Sequence, residues 1–124
     1  MRPRKRTLTE QELEIMKVVW RLGKVTVRDV YEELRKERRI AYTSVMTIMK
    51  IMADKKHLRR RLADRAFVYE ATRPKSLIMK ELVGDFLSRV FNGSAEPLLL
   101  YLVRNRYLSK KELDEIVRVI KERS

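Results

Sequence analysis

Ala41-Tyr42-Thr43-Ser44-Val45-Met46-Thr47-Ile48-Met49-Lys50, with Arg59-Arg60-Arg61 close behind it, is the stretch on which the reading of this chain turns. At helical period Tyr42, Val45, Met49 and Met52 share one face, and Thr43, Thr47, Lys50 and Asp54 share another. The first face is apolar enough to bury. The second carries hydroxyls and a cation but little bulk. That suits a helix lying in the major groove of DNA, where short hydroxyl side chains meet base edges, thymine methyls and phosphates. Thr43, Ser44 and Thr47 are the candidates for base edges, with ordinary solvent exposure as the alternative. The helix is expected to run from Ala41 to Lys55.

Downstream, Leu58 to Leu62 and Ala66 to Ala71 read as two strands, because Phe67 and Tyr69 alternate with smaller or polar residues. Ala63-Asp64-Arg65 turns between them, and Asp64 is the residue that best tolerates a left-handed conformation there. Upstream, Thr9-Glu10-Gln11-Glu12 fits a capping box. It opens a helix with Leu13, Met16 and Trp20 on one face and Ile15 and Val19 flanking them, ended by Gly23. A second helix starts after Thr26, with Asp29 at its third position and a stripe of Val27, Val30, Tyr31 and Leu34. Three helices followed by a basic hairpin is the order of a winged helix-turn-helix.

Pro74 marks the end of that unit, so residues 1–75 read as a DNA-binding domain and residues 76–124 as a second module. In the latter, Ser76 to Phe91 is a long amphipathic helix through Ile78, Leu82, Phe86 and Val90, broken at Asn92-Gly93-Ser94. A short helix from Ala95 to Asn105 carries Leu98, Leu99, Leu100, Leu102 and Val103. The last opens on a second capping box, Ser109-Lys110-Lys111-Glu112, and presents Leu113, Ile116, Val117 and Ile120. Three such helices cover one another only in part. Pairing with a second copy would bury the rest, which predicts a dimerisation module built on these stripes; folding back onto the N-terminal unit is the alternative. The fold class expected is mainly α, a winged helix-turn-helix plus a three-helix dimerisation module.

Charge points the same way. The net charge of +13 is uneven: residues 1–75 hold 21 Lys+Arg against 10 Asp+Glu, and residues 76–124 hold 9 against 7. A basic part joined to a nearly balanced one reads as a polyanion-binding unit followed by something else. Lys50, Arg59, Arg60, Arg61 and Arg65 are candidates for phosphates, which supply affinity without specifying sequence. Strand alternation sends Arg60 to the face opposite Arg59 and Arg61. Arg2, Arg4, Lys5 and Arg6 read equally as a DNA-reaching arm or a solubilising tail. Tyr42 reads equally as a phosphate contact or a packing residue.

Other chemistries find little support. With no cysteine there is no disulfide, thiolate metal site or cysteine nucleophile. His57 is the only histidine, without a second ligand to share a metal, and reads as a surface or helix-end residue. Trp20 reads as core, continuing the first helix's stripe, and Met46, Met49 and Met52 as core filling. No glycine-rich phosphate loop, nucleophile elbow or metal cluster occurs, and Glu32-Glu33 and Asp114-Glu115 are adjacent pairs that face different directions on a helix. No enzyme activity and no cofactor are expected. No apolar run approaches the roughly 20 residues of a membrane helix, and the basic start leads into no signal-peptide core, so a cytoplasmic location is expected.

Taken in order, Leu13-Glu14-Ile15-Met16, Thr26-Val27-Arg28-Asp29-Val30, Ala41-Tyr42-Thr43-Ser44-Val45-Met46-Thr47, Arg65-Ala66-Phe67-Val68-Tyr69 and Leu108-Ser109-Lys110-Lys111-Glu112-Leu113 resemble the penicillinase-repressor family of the BlaI/MecI/CopY type. The resemblance implies a homodimeric transcriptional repressor, with winged-helix domains on an operator of inverted half-sites. It also has departures. Ile51, with Lys50 beside it, stands where the family usually has arginine. Lys56 stands where it usually has glycine, so a left-handed backbone or a changed helix end is expected. The wing's usual glycine is Asp64. Base preference and wing geometry are therefore expected to differ. Some members are inactivated by proteolysis at an Asn-Phe pair in the penultimate helix; the corresponding pair here is Tyr101-Leu102. An inactivating protease or an unidentified inducer stays open as a further partner. The paired cysteines of the copper-responsive branch are lacking, which excludes copper sensing through thiolates. Rival readings are a winged-helix activator or weakly specific nucleoid-associated protein, a basic RNA- or ribosome-associated protein, and a winged helix used for protein interaction.

Overall fold

The computed structural model describes residues 8–124, so the expectations for Arg2, Arg4, Lys5 and Arg6 lie outside it. Three helices, α1 (Glu10–Leu22), α2 (Val27–Leu34) and α3 (Tyr42–Asp54), precede a hairpin of β1 (Leu58–Ala63) and β2 (Ala66–Ala71). Three more helices follow: α4 (Lys75–Phe91), α5 (Glu96–Arg104) and α6 (Lys110–Arg123). The chain divides into two compact units, one ending at Met79 and the other Lys80–Ser124.

In the first unit the helix starts are local chemistry. Thr9 Oγ1 accepts from the Glu12 N–H at 3.1 Å, and Glu12 Oε1 accepts from the Thr9 N–H at 3.0 Å. Thr26 and Asp29 repeat the arrangement at the start of α2. Gly23 ends α1 with φ at 93°, a conformation that favours glycine. Two residues on, Val25 pairs with Tyr69: its N–H donates to the Tyr69 carbonyl at 2.9 Å and the return bond is 2.7 Å. This adds a one-residue third strand to the hairpin that local pattern did not reveal.

The core joins Ile15, Met16, Val18 and Val19 of α1 to Val27, Val30 and Leu34 of α2 and to Val45, Met49 and Met52 of α3, closed by Val25, Leu58 and Tyr69. Some expectations need correction. On α1, Met16 is buried as expected, but Leu13 and Trp20 are only half-buried while Ile15, Val18 and Val19 are buried, because the helix is packed by α2, α3 and β2 together. Trp20 nonetheless lies against the core, and its indole N–H donates to the Arg73 carbonyl at 3.2 Å. Met46 is 43 % exposed; it sits 100° round the helix from Val45, away from the buried side. His57 is buried, at 6 % exposure, not at the surface.

His57 belongs to the stop signal of α3. The Lys56 N–H donates to the Ala53 carbonyl at 3.0 Å and the His57 N–H to the Met52 carbonyl at 2.9 Å, with Lys56 left-handed at φ 73°. This is a Schellman ending, usually made by glycine. Thr72 Oγ1 then ties the end of β2 to it, donating to the Lys56 and His57 carbonyls at 2.7 and 3.1 Å.

Glu12 links both ends of the unit. It is 3 % exposed; one oxygen caps α1, and the other accepts from Lys55 Nζ at 2.8 Å, just past α3. Burial pushes its carboxyl up. The hydrogen bonds from Lys55 and the Thr9 N–H, with the charges of Lys55 and His57, outweigh that and hold its pKa below the ordinary 4.5. A carboxylate depressed on folding stabilises above its unfolded value, and that stability is lost as pH falls through the folded value. Stability is therefore expected to drop below pH 4.5, and Glu12→Gln to flatten that drop while costing about 1.5–3 kcal/mol near neutrality. Denaturation curves at a series of pH values check both; parallel curves for the two proteins would exclude Glu12 as the cause.

The second unit is built differently. Asn92 and Gly93, both at positive φ, end α4; Pro97 opens the first turn of α5; Ser109 and Glu112 form the capping box of α6. Yet neither α5 nor α6 has a buried residue, and in α4 only Ile78 is buried. Phe86, Val90, Leu99, Val103, Val117 and Ile120 are exposed, as are Val83, Leu100, Tyr101, Tyr107 and Val119, while Leu82, Leu102, Leu113 and Ile116 are half-buried. Ile78 departs from its predicted role. It lies in the first unit at 6 % exposure, beside Leu8, Met16 and His57, so its side chain is already covered. Among the described residues no helix is long and apolar enough to cross a membrane.

Candidate nucleic-acid interface

α3 is amphipathic in a way that sorts its residues cleanly. Val45, Met49 and Met52 are buried completely; Thr43, Ser44, Thr47, Lys50, Ile51 and Asp54 face away from them and are exposed. The three hydroxyl side chains make no hydrogen bond among the described residues, so their donors and acceptors are available to a ligand. Asp54 sits at the far end of this face.

Tyr42 resolves toward packing. Its ring meets that of Tyr31 edge-on at 5.5 Å, and the Arg28 guanidinium lies 5.4 Å from its centroid. The contact holds the start of α3 against α2, with part of the ring still exposed. Arg28 thereby brings a cation from the first turn of α2 to the start of α3, although it also pairs with Glu32. Sequence reading missed it, since no local pattern shows which helix ends meet.

The hairpin distributes its arginines by register. Leu58, Arg60 and Leu62 face Ala71, Tyr69 and Phe67 across the sheet; Arg59 and Arg61 face Glu70 and Val68. Arg60 takes the opposite face from its neighbours, its guanidinium 4.2 Å from the Phe67 centroid and 3.3 Å from the Tyr69 hydroxyl. Arg59 donates twice to one oxygen of Glu70, at 2.9 and 3.2 Å. That hydrogen bond, set against slight desolvation, holds the Glu70 carboxyl below its ordinary range, so Arg59 is partly neutralised. Lys50, Arg61 and Arg65 make no hydrogen bond or ion pair among the described residues, although the Arg61 charge also acts on Glu70. At the turn Asp64 is left-handed, φ 59°, where tight hairpins favour glycine, asparagine or aspartate. Among the described residues no group of His, Asp or Glu could hold a metal ion.

Comparison with known proteins follows this anatomy along almost its full length. The penicillinase repressor from Bacillus licheniformis is 27 % identical over 115 residues, spanning 93 % of this chain and 90 % of that one. The methicillin resistance regulatory protein MecI from Mammaliicoccus sciuri is 21 % identical over 116 residues, 94 % of each chain. The penicillinase repressor from Staphylococcus aureus is 20 % identical over 105 residues, 85 % of this chain and 83 % of its own. Both units are therefore shared, not the winged helix alone. The penicillinase repressor family model matches residues 8–122, from the cap of α1 into the last turn of α6, and the chain belongs to that family.

Proposed function

We propose that the chain is a dimeric, sequence-specific transcriptional repressor acting on a palindromic operator. The observation that carries the reading is the outward face of α3, hydroxyl-rich and unpartnered, with Lys50 on it and the unpaired Arg61 and Arg65 on the hairpin. The names of the relatives, penicillinase repressor and methicillin resistance regulatory protein, support it. In this reading residues 1–75 bind DNA, with Thr43, Ser44 and Thr47 at base edges and the wing on flanking phosphates. Residues 76–124 join two copies, which puts the exposed stripes of α4, α5 and α6 against their equivalents. Repression follows from blocking polymerase access. Release follows from whatever parts the two copies.

Selection of bound duplexes from random DNA tests the whole reading, and a palindromic site is the expected product. Enrichment of an asymmetric site, or of none, would overturn it. On the selected site Thr47→Ala is expected to cost about 1–3 kcal/mol and on random DNA almost nothing. Arg61→Ala is expected to weaken both alike and to reduce the salt slope by about one. Arg59→Ala should do less, because Glu70 already holds that charge. Titrations between low and moderate salt distinguish these; an unchanged slope for Arg61→Ala removes it from the interface.

A further inference from the structure

Ser44, Thr47 and Ile51 form a stripe at i, i+3 and i+7 down one flank of the exposed side of α3. Ile51 is 43 % exposed, while Val45, Met49 and Met52 fill the buried side completely. The core has no use for it. The rest of the face narrows what it can recognise. Between Tyr42 and Asp54 there is no arginine, asparagine or glutamine, which leaves Lys50 as the one side chain of the helix that pairs with guanine. Lys50 is the only cation of the helix. In the major groove the apolar group displayed by a base-pair edge is the thymine 5-methyl. A branched aliphatic side chain on a groove-facing helix gains by covering that methyl, since both leave water together.

We propose that Ile51, with the methyl of Thr47 one turn before it, reads thymine methyl groups, so that thymines specify part of each half-site. The inference rests on α3 being the operator-reading helix. It names what that helix reads.

The test uses the full chain and the site selected from random DNA, prepared once with thymidine and once with deoxyuridine, which pairs identically and lacks only the methyl. The unmodified protein is expected to bind the uracil site more weakly, by about fourfold for each methyl covered. Ile51→Ala is expected to bind the thymine site more weakly and to lose most of the thymine–uracil difference. Ile51→Val, which keeps a branched side chain, is expected to retain most of it. Equal affinity of the unmodified protein for both sites, with the selected site still preferred over random DNA, overturns methyl reading and leaves the repressor reading standing. A thymine–uracil difference unchanged by Ile51→Ala overturns it as well. Failure to enrich any sequence overturns both readings together.

Discussion

Phe86→Asp combined with Ile120→Asp is expected to split the proposed dimer into monomers that still fold their first unit. Both side chains are exposed in the single chain, so the substitutions remove nothing from its core. They place charge on apolar faces that a second copy would cover, where an unpaired carboxylate costs far more than on an open surface. Tethering two reading heads multiplies affinity by about 100- to 10,000-fold over one. Operator binding should fall by at least the lower end of that range, while binding of a single half-site changes little. Sedimentation of the unmodified and doubly substituted chains, with titration of full and half operators, gives the answer. A dimer that survives both substitutions would place the interface elsewhere. If two copies pair through these faces, thermal stability of the unmodified protein rises with its concentration.

Met49→Ala is expected to have the largest effect on stability. Met49 is 0 % exposed, in the core cluster between α1, α2 and the sheet, and its truncation leaves a cavity under the middle of α3. Buried methionine to alanine costs about 2–5 kcal/mol, a large part of the roughly 5–15 kcal/mol that holds a domain together. Met46→Ala, three residues before it on the same helix, is expected to stay within about 0.5 kcal/mol because Met46 is at the surface. Urea denaturation of the two variants makes the comparison internal. Equal losses would mean that the two methionines share one environment.

That pair also shows where sequence reading stopped. The helix starts were legible because a capping box is contained in four residues, and Thr9–Glu12, Thr26–Asp29 and Ser109–Glu112 all form it. The left-handed turn at Asp64 followed from turn chemistry in the same local way, whereas the left-handed backbone at Lys56, expected alongside a changed helix end, rested on the family resemblance. Periodicity placed Val45, Met49 and Met52 inward and Thr43, Thr47 and Lys50 outward, but Met46, read as core filling, lies at the surface, because packing by neighbouring elements decides a residue at the edge of a stripe. The Val25–Tyr69 bridge, the Glu12–Lys55 pair and the burial of His57 and Ile78 join residues far apart in sequence, so no window along the chain contained them. The pairing of Arg59 with Glu70 follows from Ala63 pairing with Ala66, whereas the sequence reading ended the first strand at Leu62 and put Ala63 in the turn.

Lys56 leaves a trace in how this sequence can drift. An L-residue in the left-handed region carries a penalty of about 1–2 kcal/mol that glycine escapes, so random substitution favours replacing it. The backbone supplies no reason to keep a side chain at that position, and the Schellman bonds use main-chain atoms alone. If close relatives nevertheless keep lysine or arginine there, selection is acting on the positive charge at the end of α3. If they scatter among glycine and asparagine, the lysine is a historical accident that the fold tolerates.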